Sequence, residues 1–99
     1  MYCSLRQYEG CTDVAELQRR VQEEVLPLLR DMPGFHSYMV IDCLDGDLTS
    51  ISLYDTEDQA EAANVKAAEI VAQALSDLVP DDPTIWIGEV IIDSRTQTE

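Results

Sequence analysis

FHSYMVIDCLDGDLTSISLY, residues 35–54, is the stretch whose reading decides the fold. Phe35 to Leu44 and Leu48 to Tyr54 are rich in β-branched and aromatic residues, as strands are. Between them lies Asp45-Gly46, the strongest short hairpin signal a sequence offers, with Gly46 supplying the positive φ that a two-residue turn of this hand requires. The two segments are therefore expected to pair as neighbouring antiparallel strands.

Working outward, Pro33-Gly34 stops whatever precedes the hairpin. Upstream, a helix starts near Asp13, which can cap it while Glu16 reaches back. Val14, Leu17, Val21, Val25 and Leu28 give it an apolar stripe at spacings of three and four. Pro27 should kink or end it, because proline donates no N–H and crowds the carbonyl of Glu23. Before that helix, Tyr2 to Tyr8 reads as a strand, with Cys3, Leu5 and Gln7 on one face and Tyr2, Ser4, Arg6 and Tyr8 on the other. Downstream of the hairpin, Thr56-Glu57-Asp58-Gln59 is a capping box opening a second helix. Its stripe runs Ala60, Ala63, Ala67, Ile70, Val71, Ala74, Leu75 and Leu78, and so many alanines imply close approach to a sheet. Pro80-Asp81-Asp82-Pro83 ends it, and Thr84 to Ile92 is the last strand. Residues 1–93 then form one domain, and 94–99 a polar C-terminal tail.

The order strand, helix, strand, strand, helix, strand implies right-handed crossovers and two helices on one face of a four-stranded antiparallel sheet. This is the ferredoxin-like α+β arrangement. Its second face should be polar if wet, yet strands 2 and 4 carry apolar residues on both faces: Met39 and Ile41 against Tyr38 and Val40, Ile85 and Ile87 against Trp86 and Val90. Only one face has helices to cover it. The expected cover for the other is a second copy, packed as a two-fold homodimer.

Twenty acidic residues face six basic ones, for a net charge of −14. Such a surface repels phosphate backbones and anionic lipid, which argues against nucleic-acid and membrane partners. Scarcity of lysine, with Lys66 alone, fits either a salt-rich cytoplasm or an ordinary acidic cytosolic protein. Arg6 and Glu9 interrupt any apolar leader, and no run approaches the roughly 20 apolar residues of a membrane span. A cytoplasmic location with reduced thiols is expected. Cys3 and Cys43 read as small core residues, and Cys11 as a loop thiol.

Three short segments carry a family resemblance: Arg6-Gln7-Tyr8-Glu9-Gly10 at the end of strand 1, Met32-Pro33-Gly34-Phe35 leading into strand 2, and Tyr54-Asp55-Thr56 leading into the second helix, which contains Asn64. With the order of elements, they resemble the antibiotic biosynthesis monooxygenase-like family, the dimeric α/β barrels, from Tyr2 to about Ile92. The resemblance implies a homodimer whose sheets meet in a barrel and a cavity between sheet and helices. It also implies small enzymes such as cofactor-free oxygenases of polycyclic phenols, quinol oxygenases and haem-degrading oxygenases. Haem-degrading members carry an Asn on strand 1 and a His on a helix. Strand 1 here has no Asn and the single histidine, His36, lies on strand 2, so haem is not assigned. No cofactor and no metal site is expected.

The candidate pocket residues are His36, Tyr38, Asn64 and Trp86. His36 and Tyr38 are two apart on one strand, where a base beside a phenol could ionise a phenolic substrate. Asn64 lies on the sheet-facing stripe, where a buried amide needs partners and a ligand carbonyl could be one. Trp86 has Gly88 beside it, leaving room for a pocket. Ser50 and Ser52 could add a polar patch, though such residues more often face water. The first strand–helix loop lacks the paired cysteines of a copper carrier and the arginine of an acylphosphatase, and the three cysteines are too scattered for an iron–sulfur cluster. Two functions stay open: a cofactor-free monooxygenase-like enzyme acting on an aromatic, phenolic or quinone-like molecule, and a non-catalytic ligand-binding or stress-associated interaction domain. An amino-acid-sensing regulatory domain is a weaker third.

Overall fold

The computed structural model describes residues 1–95. In chain order the elements are β1 (Tyr2–Tyr8), α1 (Val14–Arg20), a π-helical turn (Val21–Val25), α2 (Leu26–Arg30), β2 (Phe35–Asp42), β3 (Leu48–Tyr54), α3 (Glu57–Ala74) and β4 (Thr84–Glu89). The sheet order is β2-β3-β1-β4, antiparallel at every pairing. This is the expected ferredoxin-like fold, with the two hairpin strands side by side and β1 and β3 in the centre.

Pro27 does not end the first helix. The chain passes straight from α1 through the π turn into α2, where Pro27 sits in the first turn. The wider turn absorbs the missing N–H and the crowded carbonyl. It also changes which leucine is buried: Leu29 is 3% exposed and Leu28 46%. A widened turn carries the apolar stripe forward by four residues rather than three, from Val21 to Val25 to Leu29.

The hairpin has the expected turn, but the strands stop sooner. Asp45 and Gly46 both have positive φ, and Asp47 N–H donates to the Leu44 carbonyl at 3.0 Å. Leu44 also has positive φ, at 74°, so β2 ends at Asp42 and not at Leu44. A Cβ on Gly46 would lie 3.0 Å from the Cys11 carbonyl oxygen, so the hairpin tip fits against the β1–α1 loop only as glycine. Cys43 lies beyond the strand and is exposed, not core, and Cys3 is half-buried; both are free thiols, as is Cys11. β4 ends at Glu89 and not at Ile92. Its register with β1 ends at Tyr2↔Glu89, followed by one bond from Val90 N–H to the Met1 carbonyl. Of the expected tail, Ser94 and Arg95 form a turn, and residues 96–99 lie outside the described residues.

Asp13 caps α1 by accepting from Glu16 N–H, but the Glu16 side chain turns outward to Arg19 and Arg20 instead of reaching back. The capping box at Thr56 and Gln59 forms in full.

The register assigns the faces. Tyr2, Ser4, Arg6 and Tyr8 of β1 stand opposite Tyr54, Ser52, Ser50 and Leu48 of β3. These point at the helices, because Leu48 packs with Leu17, Val21, Val25 and Ile70, and Tyr54 packs with Ala60 and Ala63. Those two alanines are fully buried, which is what lets α3 sit close over the strands. Cys3, Leu5, Ile51, Leu53, Met39, Ile41 and Trp86 fall on the other side, which no helix covers.

Candidate functional site

Most sheet faces that meet helices are apolar. Here the two central strands present Ser4, Arg6, Ser50 and Ser52 to the helices, and all four are buried. Around them lies a partly open chamber of about 40 Å³, between α3, the first helix and the sheet. Most of its lining is aliphatic, from Leu17, Val21, Leu48 and Val71 among others, and Tyr8, Tyr38, Tyr54 and Asn64 line it beside them. Through Tyr38, Val40 and Leu48 it borders a groove of about 360 Å³ between α1, the π turn and β2. At its other end Arg6 also borders a hollow of about 160 Å³ under residues 80–83.

Each polar group is positioned by an element. Asn64 falls on the sheet-facing side of α3, one turn from both Ala60 and Ala67. Ser4 Oγ donates to its Oδ1 at 2.8 Å, and Nδ2 is buried with no partner. Arg6 is 5% exposed, and its Nε and Nη1 have no hydrogen-bond partner. Its guanidinium carbon lies 5.7 Å from the Tyr8 ring centroid, a cation–π contact. Burial pushes the Tyr38 hydroxyl well above the ordinary phenol range; Tyr8 adds to the effect, and Arg6 and Ser50 offset part of it. Tyr8 and Tyr54 are also pushed up, chiefly by burial. All three phenols are therefore neutral hydrogen-bond donors near neutral pH.

The structure brings two of the four expected pocket residues, Tyr38 and Asn64, to one chamber. It does not bring His36 or Trp86. A β-bulge between Phe35 and Ser37 breaks the alternation, so His36 and Tyr38 no longer share a face. Tyr38 turns inward, while His36 is exposed and bonds through Nε2 to Asp55. Trp86 pairs with Leu5 on the uncovered side of the sheet and is 52% exposed, the thickness of the sheet away from the chamber. Ser50 and Ser52 face the interior and not water. Arg6 and Ser4 join the site without a motif of their own, on the strand face they share with Tyr8. The signal was a polar face on a central strand opposite an alanine-rich helix. Among the described residues, no group of three His, Cys, Asp or Glu side chains is arranged to hold a metal ion. Nor is any helix long and apolar enough to cross a membrane.

The chain matches no family model and no curated protein sequence. Solved structures match over nearly its whole length. SnoaB, a cofactor-independent oxygenase from Streptomyces nogalater solved with one asparagine replaced by alanine, superposes with a TM-score of 0.72 at 14% identity, covering 94% of this chain and 95% of that one. A monooxygenase from the gene ActVA-Orf6 of Streptomyces coelicolor, in complex with nanaomycin D, gives 0.66 at 20% identity over 94% and 92%. Rv0793 from Mycobacterium tuberculosis gives 0.69 at 14% identity over 94% and 97%. At these identities the common property is the fold, and the fold is that of the antibiotic biosynthesis monooxygenase structures.

Proposed function

We propose that this chain is a cofactor-free, monooxygenase-like enzyme acting on an aromatic hydroquinone or phenol. One observation carries the reading. Asn64, held through Oδ1 by Ser4, keeps a buried Nδ2 without a hydrogen-bond partner and lines a largely apolar chamber that also carries Tyr8, Tyr38 and Tyr54, on a fold shared with a cofactor-independent oxygenase. A buried donor without a partner costs about 1–3 kcal/mol, so it is kept for what it binds in use. The groove has the size that small-molecule sites have, with Val14, Leu17, Val21, Leu26 and Val40 as its apolar part and Gln18, Gln22 and Asp42 as its polar part. Tyr38 lies where the groove meets the chamber.

Without a cofactor the substrate supplies every electron. For 1,4-naphthohydroquinone and dioxygen, the products are a hydroxynaphthoquinone and water. One ring C–H becomes C–OH, both hydroquinone hydroxyls become carbonyls, and the second oxygen atom leaves as water. The protein's part is to hold the ionised ring and stabilise negative charge as it moves toward oxygen, for which Asn64 Nδ2 is a placed donor. Oxygen consumption with naphthohydroquinones, using labelled dioxygen, tests this. One label should enter the quinone, and Asn64→Ala should lower the rate by about 10²-fold, the usual cost of losing one such donor. No consumption above the spontaneous rate with any hydroquinone would leave the non-catalytic ligand-binding reading in its place.

The same proposal includes a homodimer through the uncovered face. What supports it is the cluster of Met39, Ile41 and Trp86, all exposed, around Leu5, Ile51 and Leu53 on one flat surface. A monomer seldom leaves such a patch to water.

A further inference from the structure

The charges of this molecule are distributed in an unusual way. Acidic residues outnumber basic ones by twenty to six. Arg19, Arg20, Lys66 and Arg95 each form an ion pair with one or more of those acids. Arg30 is exposed to water. Arg6 alone is buried, and among the described residues no carboxylate pairs with it. A buried cation without a counter-charge costs several kcal/mol, and a surplus of acids could easily have supplied one. What surrounds Arg6 instead is a largely apolar wall with a few neutral hydroxyls, that of Tyr8 hydrogen-bonded to the guanidinium. Tyr8, Tyr38 and Ser50 present hydroxyls, Asn64 presents its free Nδ2, and no carboxylate lines the chamber.

We infer that Arg6 is the seat of an ionised oxygen, and that the site takes its aromatic ligand as an oxyanion: phenolate, enolate or carboxylate. This rests on reading the chamber and groove as the ligand site, and it specifies the charge state that the site selects. Size supports the placement. A chamber of about 40 Å³ holds an oxygen atom and a water or two, but not a ring. The ring belongs in the adjoining groove of about 360 Å³, with its oxygen passing Tyr38 toward Arg6. An anion there neutralises the guanidinium and accepts the orphaned N–H groups together. The titratable groups facing Arg6 are Tyr8 and Tyr38 from the sheet and Tyr54 beside them, all held neutral by burial. Asp81 and Asp82 line the hollow on its far side, without an ion pair to it.

The test uses 4-nitrophenol, whose phenolate absorbs visibly, with 4-nitroanisole as the ether that cannot ionise and 4-nitrobenzoate as the carboxylate. Bound to the wild-type chain, nitrophenol should ionise about one pH unit or more lower than free, the effect of a nearby opposite charge. Arg6→Gln should abolish that displacement and weaken phenolate binding at least about tenfold, while nitroanisole binds both proteins alike. Arg6→Lys, which keeps the charge, should retain the displacement, and it carries the test if Arg6→Gln does not fold. An Asp81→Asn, Asp82→Asn double variant should leave the displacement unchanged. Whichever of nitrobenzoate and nitrophenolate binds more tightly identifies the oxyanion preferred. Nitrophenol and nitroanisole binding equally, with no displacement, would overturn the inference, as would no binding of any of the three. Oxygen uptake separates it from the oxygenase reading. Uptake at the wild-type rate in Arg6→Gln overturns the role of Arg6 alone. Displaced ionisation without uptake overturns the oxygenase alone.

Discussion

Ser4 and Asn64 form the smallest unit on which the site depends. The serine hydroxyl donates to Oδ1 and holds the amide in place. Ser4→Ala should leave the fold intact and reduce turnover about fivefold, the worth of a hydrogen bond of ~1 kcal/mol, measured beside Asn64→Ala in the same oxygen assay. Gly34 governs placement in a different way. It has φ +76°, and a Cβ there would lie 1.9 Å from Gln59 Oε1, the oxygen that accepts from Thr56 N–H in the capping box. Gly34→Ala should therefore cost about 2 kcal/mol, roughly half from the left-handed backbone and half from the displaced cap. In urea unfolding, a Gln59→Ala background should recover the second half, and strict additivity would refute the link. At this scale Asn64 was legible because helix periodicity alone aims it at the sheet. Trp86 and His36 were not. Strand alternation says which residues share a face, but not which face the helices cover, and the bulge after Phe35 leaves no mark in the sequence.

Among the elements, the first helix and α3 are tied together by one residue. Arg20 donates to Glu16 on its own helix, to the Ala74 carbonyl at the end of α3, and to Asp77 just beyond. This clamp fixes the two helices that roof the chamber. Bonds from Arg19 and Arg20 lower the Glu16 carboxyl to about 2, and the bond from Arg20 lowers Asp77. Both groups are more acidic folded than unfolded. Their contribution is therefore complete above the unfolded carboxylate range and is lost as pH falls from about 4.5 toward 2. The urea midpoint should drop over that window, and Glu16→Gln should flatten the drop. An unchanged profile in the variant would show that the clamp adds nothing. Element order and hairpin were readable from local chemistry: Asp45-Gly46 for the turn, Thr56 and Gln59 for the cap. The π turn was not, because proline announces that a helix must adjust and does not say how. Widening the turn buries Leu29 and keeps the helix; ending it would have lost both.

At the scale of the molecule, an uncovered apolar face and a net charge of −14 act against each other. Acidic repulsion should weaken both folding and pairing at low salt, and screening should relieve it. The melting temperature should rise between about 0.05 and 1 M salt, where the Debye length shrinks from over 10 Å to about 3 Å. Sedimentation should give twice 11.1 kDa, and Trp86→Glu together with Met39→Glu should return it to a single chain. A wild-type monomer at micromolar concentration would remove the dimer while leaving the chamber untouched. The central claim is that the chamber between sheet and helices receives the ligand. The most direct test is an NMR titration of nitrogen-15-labelled protein with 1,4-naphthohydroquinone under argon, following the Arg6 Nε–H and Asn64 Nδ2 signals. Both should shift and saturate together with the backbone amides of the groove around Leu17 and Val40. Shifts confined to Leu5, Met39 and Trp86 on the far face of the sheet, or none, would contradict the account.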